Sequence, residues 1–419
     1  MKPSGSQQEA GRQQGESRTS ASAAAPTRSE FLVFGSPRIE EAEIQEVVAS
    51  LRSGWLSTGP KVGQFEHSFR DYIGSGYAKA VNSCTAGLHL SLIVAGIGPG
   101  DEVITTPMTF AATANVIVNV GARPVFVDID KDSMNIDPDL IEAAITDSTR
   151  AIVPVHFAGR PCDMKPIMEI ARRRGLLVIE DAAHAVEARY GGKKVGDIGD
   201  LTTFSFYVTK NVVTGEGGMV TTNNQEWAEA IEQYALHGLS RGAWKRYSDE
   251  GFRHYEVVHP GYKYNMMDLQ AALGIHQLSR VEEYLRRREE VWRVYDEAFA
   301  TFPAFRPAQA APDTRHARHL YTLVLDVDRL GVDRDTFQQA LHEENIGTGI
   351  HFIALHLHRY YHEAHGYRRG DFPNAEYVSD RTISLPLSAK LSDRDVQDVI
   401  TAVWRVGRRL SRAVPEGVD

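Results

Sequence analysis

Thr203-Phe204-Ser205-Phe206-Tyr207-Val208-Thr209-Lys210, followed by Asn211-Val212-Val213-Thr214-Gly215-Glu216-Gly217-Gly218, is the stretch whose reading decides the fold. It reads as a short apolar strand ending in a turn that holds one lysine, with a second strand, Gly218-Met219-Val220-Thr221-Thr222, directly after it. The glycines between them let the chain reverse and let backbone approach a ligand closely. A lysine held beside apolar strands loses hydration, so its pKa falls and its amine becomes a better nucleophile toward an aldehyde. In isolation such a lysine belongs on the surface of a hairpin. The segments on either side change that reading.

Upstream, apolar strands alternate with helical patterns. The strands are expected at Ala78–Val81, Glu102–Thr105, Pro124–Asp128, Ala151–Val155, Leu176–Asp181 and Thr202–Tyr207, with Gly218–Thr222 completing seven. Helices are expected at Ala86–Val94, Ala111–Val120, Pro138–Ala144 and Met164–Arg174. Strands this apolar, separated by helices, predict an α/β fold with a mostly parallel sheet covered on both faces, whose ligands sit at the carboxyl ends of the strands. Before this region, Pro37 to Leu51 and Lys61 to Tyr72 carry helical spacing, with a loop at Gly54–Pro60 between them. After Leu236 a loop of about thirty residues is long enough to suspect function. A long amphipathic segment, Met267 to Phe299, then leads to a smaller α+β unit with strands at Leu320–Val327 and Thr382–Leu385 and helices at Arg334–Glu343 and Asp393–Leu410. The organisation expected is a disordered tail over 1–30, a large α/β domain over 31–265, and the linking helix with a small C-terminal α+β domain over 266–419.

Composition narrows the function classes. The 419-residue chain has a formal charge of -9, which argues against nucleic acid or an anionic membrane as its main partner. Its two cysteines, Cys84 and Cys162, make neither a disulfide framework nor a zinc cage and suit the reducing cytoplasm. No apolar run reaches the roughly 18 residues of a membrane-spanning helix. The histidines at 351, 356, 358, 362 and 365 invite a metal reading, but His362-Glu363-Ala364-His365 lacks a residue of the zinc-helix spacing and no metal site is assigned.

Chemistry-bearing residues gather at the predicted strand ends. Asp181 closes an apolar strand, where an acid either caps the next helix or pairs with a buried cation. An acid facing a pyridinium nitrogen and a lysine bonded to an aldehyde are the two anchors of a pyridoxal phosphate enzyme. Val81-Asn82-Ser83-Cys84-Thr85-Ala86-Gly87 supplies a strand, a small-residue turn and a helix start, whose free N–H groups suit a phosphate. The hydroxyls of Thr85 and Ser205 could add hydrogen bonds, and Phe110 could stack on a ring.

These motifs together resemble the fold-type I pyridoxal-phosphate aminotransferases of the DegT/StrS sugar-aminotransferase group, over Phe34 to Arg408. The motifs are Gly54–Pro60, Asn82–Leu90, Glu180-Asp181-Ala182-Ala183-His184-Ala185, Ser205–Lys210 with Gly215–Gly218, and Gly261-Tyr262-Lys263-Tyr264-Asn265-Met266. Within the group, Leu236–Leu239, Gly261–Asn265 and Gly347–Phe352 are most similar to the aminotransferases that make UDP-4-amino-4-deoxy-L-arabinose. The resemblance implies pyridoxal 5'-phosphate as cofactor, with Lys210 as the Schiff-base lysine and proton carrier and Asp181 on the pyridine nitrogen. It places His184 near the ring hydroxyl, Thr85, Ala86 and Ser205 at the phosphate, and Phe110 over the ring. Where the group reads Gly-Tyr-Asn-Tyr-Arg, this chain has Lys263 and Asn265, either of which could reach the phosphate across a homodimer interface. Ser57, in the 54–60 loop, and His351 fall on the substrate side. The activity implied is transfer of an amine from L-glutamate to a keto group, at C4, of a nucleotide-linked sugar, for glycan, lipopolysaccharide or antibiotic synthesis. The alternatives are a 3-keto-sugar aminotransferase and a sugar dehydratase that uses the same cofactor. The dehydratases typically carry histidine at the lysine position, and Lys210 speaks against that class.

Overall fold

The computed structural model describes residues 26–240, 255–305 and 313–411. Most of the expected tail and the middle of the long loop after Leu236 lie outside the described residues. In chain order the elements are α1 (Glu41–Ser53), α2 (Pro60–Ile73), β1 (Tyr77–Val81), α3 (Cys84–Val94), β2 (Glu102–Thr105), α4 (Ala111–Asn119), β3 (Arg123–Phe126), α5 (Pro138–Ala144), β4 (Thr149–Val153), α6 (Met164–Arg174) and β5 (Leu177–Asp181). A two-residue hairpin, β6 (Arg189–Tyr190) and β7 (Lys193–Lys194), precedes β8 (Leu201–Ser205), β9 (Gly218–Thr222) and α7 (Gln225–Ala235). The remainder is α8 (Asp268–Ser279), α9 (Val281–Ala298), β10 (Ala304–Phe305), β11 (Tyr321–Leu325), α10 (Val327–Leu330), α11 (Arg334–Glu343), α12 (Arg359–His365), α13 (Pro373–Ser379), β12 (Thr382–Leu385) and α14 (Asp393–Leu410).

The large sheet has seven strands in the order β1-β9-β8-β5-β4-β2-β3. Its pairs are parallel from β3 through β2, β4 and β5 to β8, and only β9 runs antiparallel, to both β8 and β1. This is the mostly parallel α/β sheet expected. Its centre is apolar on both faces: Val178, Ile179, Leu201 and Phe204 are fully buried. Helix α3 is buried on nearly every side, from Ala86 to Leu92, because it is held between the sheet and helices α4 and α7. A second sheet, β10-β11-β12, packs α9, α11 and α14 around Tyr295, Tyr321, Phe337 and Trp404.

Two expectations are corrected. The segment from Met267 to Phe299 is two helices that break at Arg280, so that α8 packs against α1 and α2 while the inner face of α9 joins the core of the second sheet. The strand expected over Thr202–Tyr207 ends two residues sooner. Strand β8 stops at Ser205, and Lys210 sits in the turn beyond, where its amide donates to the Tyr207 carbonyl over 2.8 Å.

Candidate active site

A cavity of about 600 Å3 opens at the carboxyl ends of β5 and β8, against the start of α3. Its wall includes Thr85, Phe110, Asp181, His184, Ser205, Lys210 and His351, so the fold gathers seven of the residues singled out from sequence into one place. Ala86 is buried just outside the wall, and its amide donates to the Ser83 Oγ that caps α3 (3.1 Å). Ser57, Lys263 and Asn265 do not line this cavity within one chain.

The turn carrying Lys210 is tied at both ends. Phe206 N–H donates to the Gly217 carbonyl and Thr214 N–H to the Phe206 carbonyl, each over 2.9 Å. Packed neighbours crowd water from the amine, and this loss of hydration pulls Lys210 down to about 8, with the acidic groups of Cys84 and Asp181 opposing the shift.

Asp181 ends β5 and is 5% exposed. Its Oδ2 accepts from the Thr113 hydroxyl (2.7 Å) and its Oδ1 from the Ala183 amide (3.1 Å). Burial raises its pKa despite those two donors and the positive charge of Lys210. A buried carboxylate that has donors on both oxygens but no ion pair among the described residues is suited to a cationic partner.

Opposite, α3 starts at Cys84 with first-turn amides that no carbonyl of the helix can satisfy, which makes an anion cradle. Strand β9 begins hard against it. A Cβ on Gly218 would lie 2.6 Å from the Ser83 carbonyl carbon and 2.7 Å from the Cys84 nitrogen. Only glycine allows this approach. Phe110, the first residue before α4, is 63% exposed at the cavity mouth, and its ring lies 6.2 Å from that of Phe352. His184 accepts the Ala158 amide on Nδ1 (3.2 Å), and burial holds it well below the ordinary imidazole range. His351 Nδ1 lies 2.9 Å from Ser384 Oγ, and burial with the Lys210 charge pulls it down to about 4.

Several wall residues were not singled out from sequence. Thr109, just ahead of α4, lines the wall, and its hydroxyl pairs with that of Thr113 (2.8 Å), which lies behind the wall in the first turn of α4 and donates to Asp181. Cys84, His156, Tyr207, Glu216 and Phe352 also face the cavity. The other histidines of the 351–365 group separate: His356 pairs with Glu376 (2.9 Å) and His362 and His365 sit in α12.

The comparisons match this architecture. Residues 37–404 match the DegT/DnrJ/EryC1/StrS aminotransferase family. The chain is 55% identical to MJ1066 of Methanocaldococcus jannaschii over 90% of this chain and 98% of that protein. It is 54% identical to the spore coat polysaccharide biosynthesis protein SpsC of Bacillus subtilis, over 90% and 97%. Among solved structures, the Streptococcus pneumoniae protein Spr1654 in its PLP-form superposes with a TM-score of 0.83 at 35% identity, covering 91% of this chain and 99% of that one. Helicobacter pylori PseC, an aminotransferase involved in the biosynthesis of pseudoaminic acid, gives a TM-score of 0.83 at 28% identity, covering 91% and 100%. They leave the finer resemblance to UDP-4-amino-4-deoxy-L-arabinose enzymes unsupported. The depressed lysine, the unpaired buried acid and the helix-start cradle in one cavity fit pyridoxal phosphate, and the chain belongs to the DegT/DnrJ/EryC1/StrS family as a pyridoxal-phosphate-dependent aminotransferase.

Proposed function

We propose that the protein aminates the keto carbon, C4, of a nucleotide-linked sugar, with L-glutamate as donor. The observation that carries this is the cavity itself, which places Lys210, Asp181 and the α3 start around one space large enough for a cofactor and a sugar. SpsC, described for polysaccharide synthesis, and PseC, described for pseudoaminic acid synthesis, support a sugar as acceptor. A 3-keto sugar is the second acceptor geometry, and the lysine at 210 disfavours a dehydratase.

When bound, pyridoxal phosphate supplies an electron sink for the bond broken at the substrate carbon. Lys210 would hold the cofactor through Nζ, and its amine is placed to take and return the proton at that carbon. An amine near 8 holds an appreciable neutral fraction at neutral pH, as a base requires. Asp181 would keep the ring nitrogen protonated. The first-turn amides of α3 with the hydroxyls of Thr85 and Ser205 would hold the phosphate, with Ala86 closing the turn beneath them. Phe110 and Phe352 would cover the ring and exclude water. His184 would donate Nε2–H to the ring oxygen. His351 and Ser57 would face the sugar, Ser57 from a second subunit.

A homodimer is the proposed assembly, and α1 supports it, since its faces are inverted for a monomer. Ile44 and Leu51 are exposed at 48% and 55%, while Glu43 and Ser50 are fully buried. Glu43 is held inside by Gln277 (2.7 Å) and by an ion pair to Arg280. The exposed apolar stripe suits a second copy of this chain. Of the two candidates for reaching the partner's phosphate, Asn265 already donates to Thr58 Oγ1 (2.7 Å), whereas the Lys263 side chain is exposed. We assign the contact to Lys263. The cytoplasm is the proposed location; Cys84 and Cys162 are both free, and no helix among the described residues is long and apolar enough to cross a membrane.

The test is to load the protein with cofactor and L-glutamate and offer a panel of nucleotide keto-sugars beside simple keto acids. Amination of a 4-keto sugar is expected. Turnover of keto acids with no sugar aminated would refute the acceptor assignment.

A further inference from the structure

Behind the cavity wall a chain of buried polar groups runs from helix α9 to His184, and apart from His184 none of it is used by the chemistry described above. Arg288 on α9 and Glu187 form an ion pair with both side chains nearly fully buried. Glu187 Oε2 accepts from Asn211 Nδ2 (2.8 Å), and Asn211 Nδ2 also donates to the Ala317 carbonyl (3.1 Å). Asn211 is the residue after Lys210. Both amide hydrogens are thus committed, and the opposite amide orientation would press a carbonyl oxygen against a carboxylate and a carbonyl. Asn211 Oδ1 therefore faces His319 Nδ1, 3.0 Å away, and His319 must be the donor.

The next link is the tight turn at Ala158. Its N–H donates to His184 Nδ1 (3.2 Å) and its carbonyl accepts from the His319 amide (3.1 Å). Gly159 follows at φ +92, where a Cβ would come within 2.8 Å of the His184 carbonyl oxygen. One turn therefore clamps both histidines. Their rings lie 4.4 Å apart with a 32° tilt. His184, accepting on Nδ1, carries its proton on Nε2. His319, donating from Nδ1, has its lone pair on Nε2. Burial holds both rings well below the usual imidazole range, in keeping with neutral tautomers. The Arg288–Glu187 pair fixes the Asn211 amide and through it the His319 proton, while the Ala158 amide fixes the proton of His184, and the two rings meet face to face.

We propose that His319, oriented by Asn211, is a positioning residue: it fixes the plane of His184 so that Nε2–H is presented to the cofactor ring. The inference rests on the placement of His184 at the ring oxygen. It also gives the second sheet, which His319 leads into at β11, a direct hold on the ring.

The test uses full-length, cofactor-loaded protein and three variants. His319→Phe keeps a ring of similar size but no donor. His319→Asn keeps a donor where Nδ1 stood but no ring. Asn211→Ser leaves both rings in place and removes the orienting oxygen. The readouts are the pH midpoint of the visible band of the bound cofactor, kcat, KM and the melting temperature. His319→Phe is expected to move the midpoint and lower kcat by about 10- to 100-fold with little change in KM, the cost of a misaimed group. His319→Asn, which keeps the donor but loses the ring against His184, is expected to shift the midpoint too, and Asn211→Ser to shift it as His319→Phe does. A His319→Phe enzyme with the wild-type midpoint and kcat, whether or not its melting temperature falls, shows a packing role and overturns the inference. A wild-type midpoint and kcat in His319→Asn would show that the ring against His184 is not needed and would overturn it too. Should His319→Phe not fold, Asn211→Ser decides alone. His184→Ala separates the two levels: if it shifts the midpoint while the His319 and Asn211 variants do not, only this inference fails. If His184→Ala itself titrates as wild type, the placement of His184 fails and the inference with it.

Discussion

Replacing Asp181 by asparagine keeps the shape of the side chain and removes its charge, and the structure predicts opposite effects on activity and stability. In the wild type both carboxylate oxygens already hold protein donors, Thr113 at 2.7 Å and Ala183 at 3.1 Å. The group's remaining capacity is its negative charge, which no ion pair among the described residues uses. Facing a protonated ring nitrogen in a buried site, that charge is worth what one preorganised electrostatic contact is worth, about 2.7–4 kcal/mol of transition-state stabilisation. At 1.36 kcal/mol per tenfold, Asp181→Asn should lower kcat by about 10²–10³-fold. Stability moves the other way in the cofactor-free protein. Burial raises the folded pKa of Asp181 above its ordinary value. The folded state therefore holds its proton to higher pH than the unfolded chain does. Stability is fully present below the unfolded pKa and falls as pH rises through the raised one. At pH 7 the carboxylate is a cost, and Asp181→Asn should raise the melting temperature of the cofactor-free protein by about 1–3 °C. Single-turnover reaction with L-glutamate, followed in the visible band, and thermal melts with and without cofactor measure the two effects. A loss in kcat under about fivefold, or a cofactor-free protein that melts lower, refutes the reasoning.

Three further predictions follow from contacts described above. Gly218→Ala forces a Cβ into the Ser83–Cys84 backbone at 2.6–2.7 Å, so it should cost about 1–3 kcal/mol in denaturant unfolding and weaken cofactor binding, and equal cofactor affinity would contradict the cradle. Lys263→Ala should weaken cofactor binding about tenfold or more without lowering the melting temperature, whereas Asn265→Ala, which loses the Thr58 contact, should lower the melting temperature first. The reverse pattern would assign the phosphate contact to Asn265. Ile44→Asp with Leu51→Asp should convert a dimer to monomer in sedimentation, and an unchanged dimer would place the interface elsewhere.

Much of the fold was legible because its elements are locally consistent. The bounds read for α5, α6, α11, β12 and α14 agree with the structure, each having a clear cap or an apolar period that stops with the element. The break at Arg280 was not legible, since neither glycine nor proline marks it and the apolar spacing runs on through it; only the division of α8 and α9 between two cores shows it. The end of β8 reads two residues late, at Tyr207, because Phe206 and Tyr207 favour strands, while the bonds that end β8 come from Thr214 and Gly217. The apolar spacing of α1 was visible but not its direction, which depends on Gln277 and Arg280 drawing Glu43 inward. That Lys210 and Asp181 would line one cavity was legible from their residue types at and just beyond expected strand ends. Thr113, His319 and Asn211 were not, because their roles are fixed by partners far away in the chain.

The central claim is that the amine of Lys210 captures the cofactor aldehyde. The direct measurement is borohydride reduction of the cofactor-loaded protein followed by peptide mass mapping, with the capture rate recorded from pH 6 to 10. The account predicts the reduced cofactor on the peptide containing Lys210 and a rate that rises with pH to a plateau above about 8, where the amine is neutral. A label on another lysine, no label, or a rate that keeps rising toward pH 10 as for an ordinary lysine would contradict it.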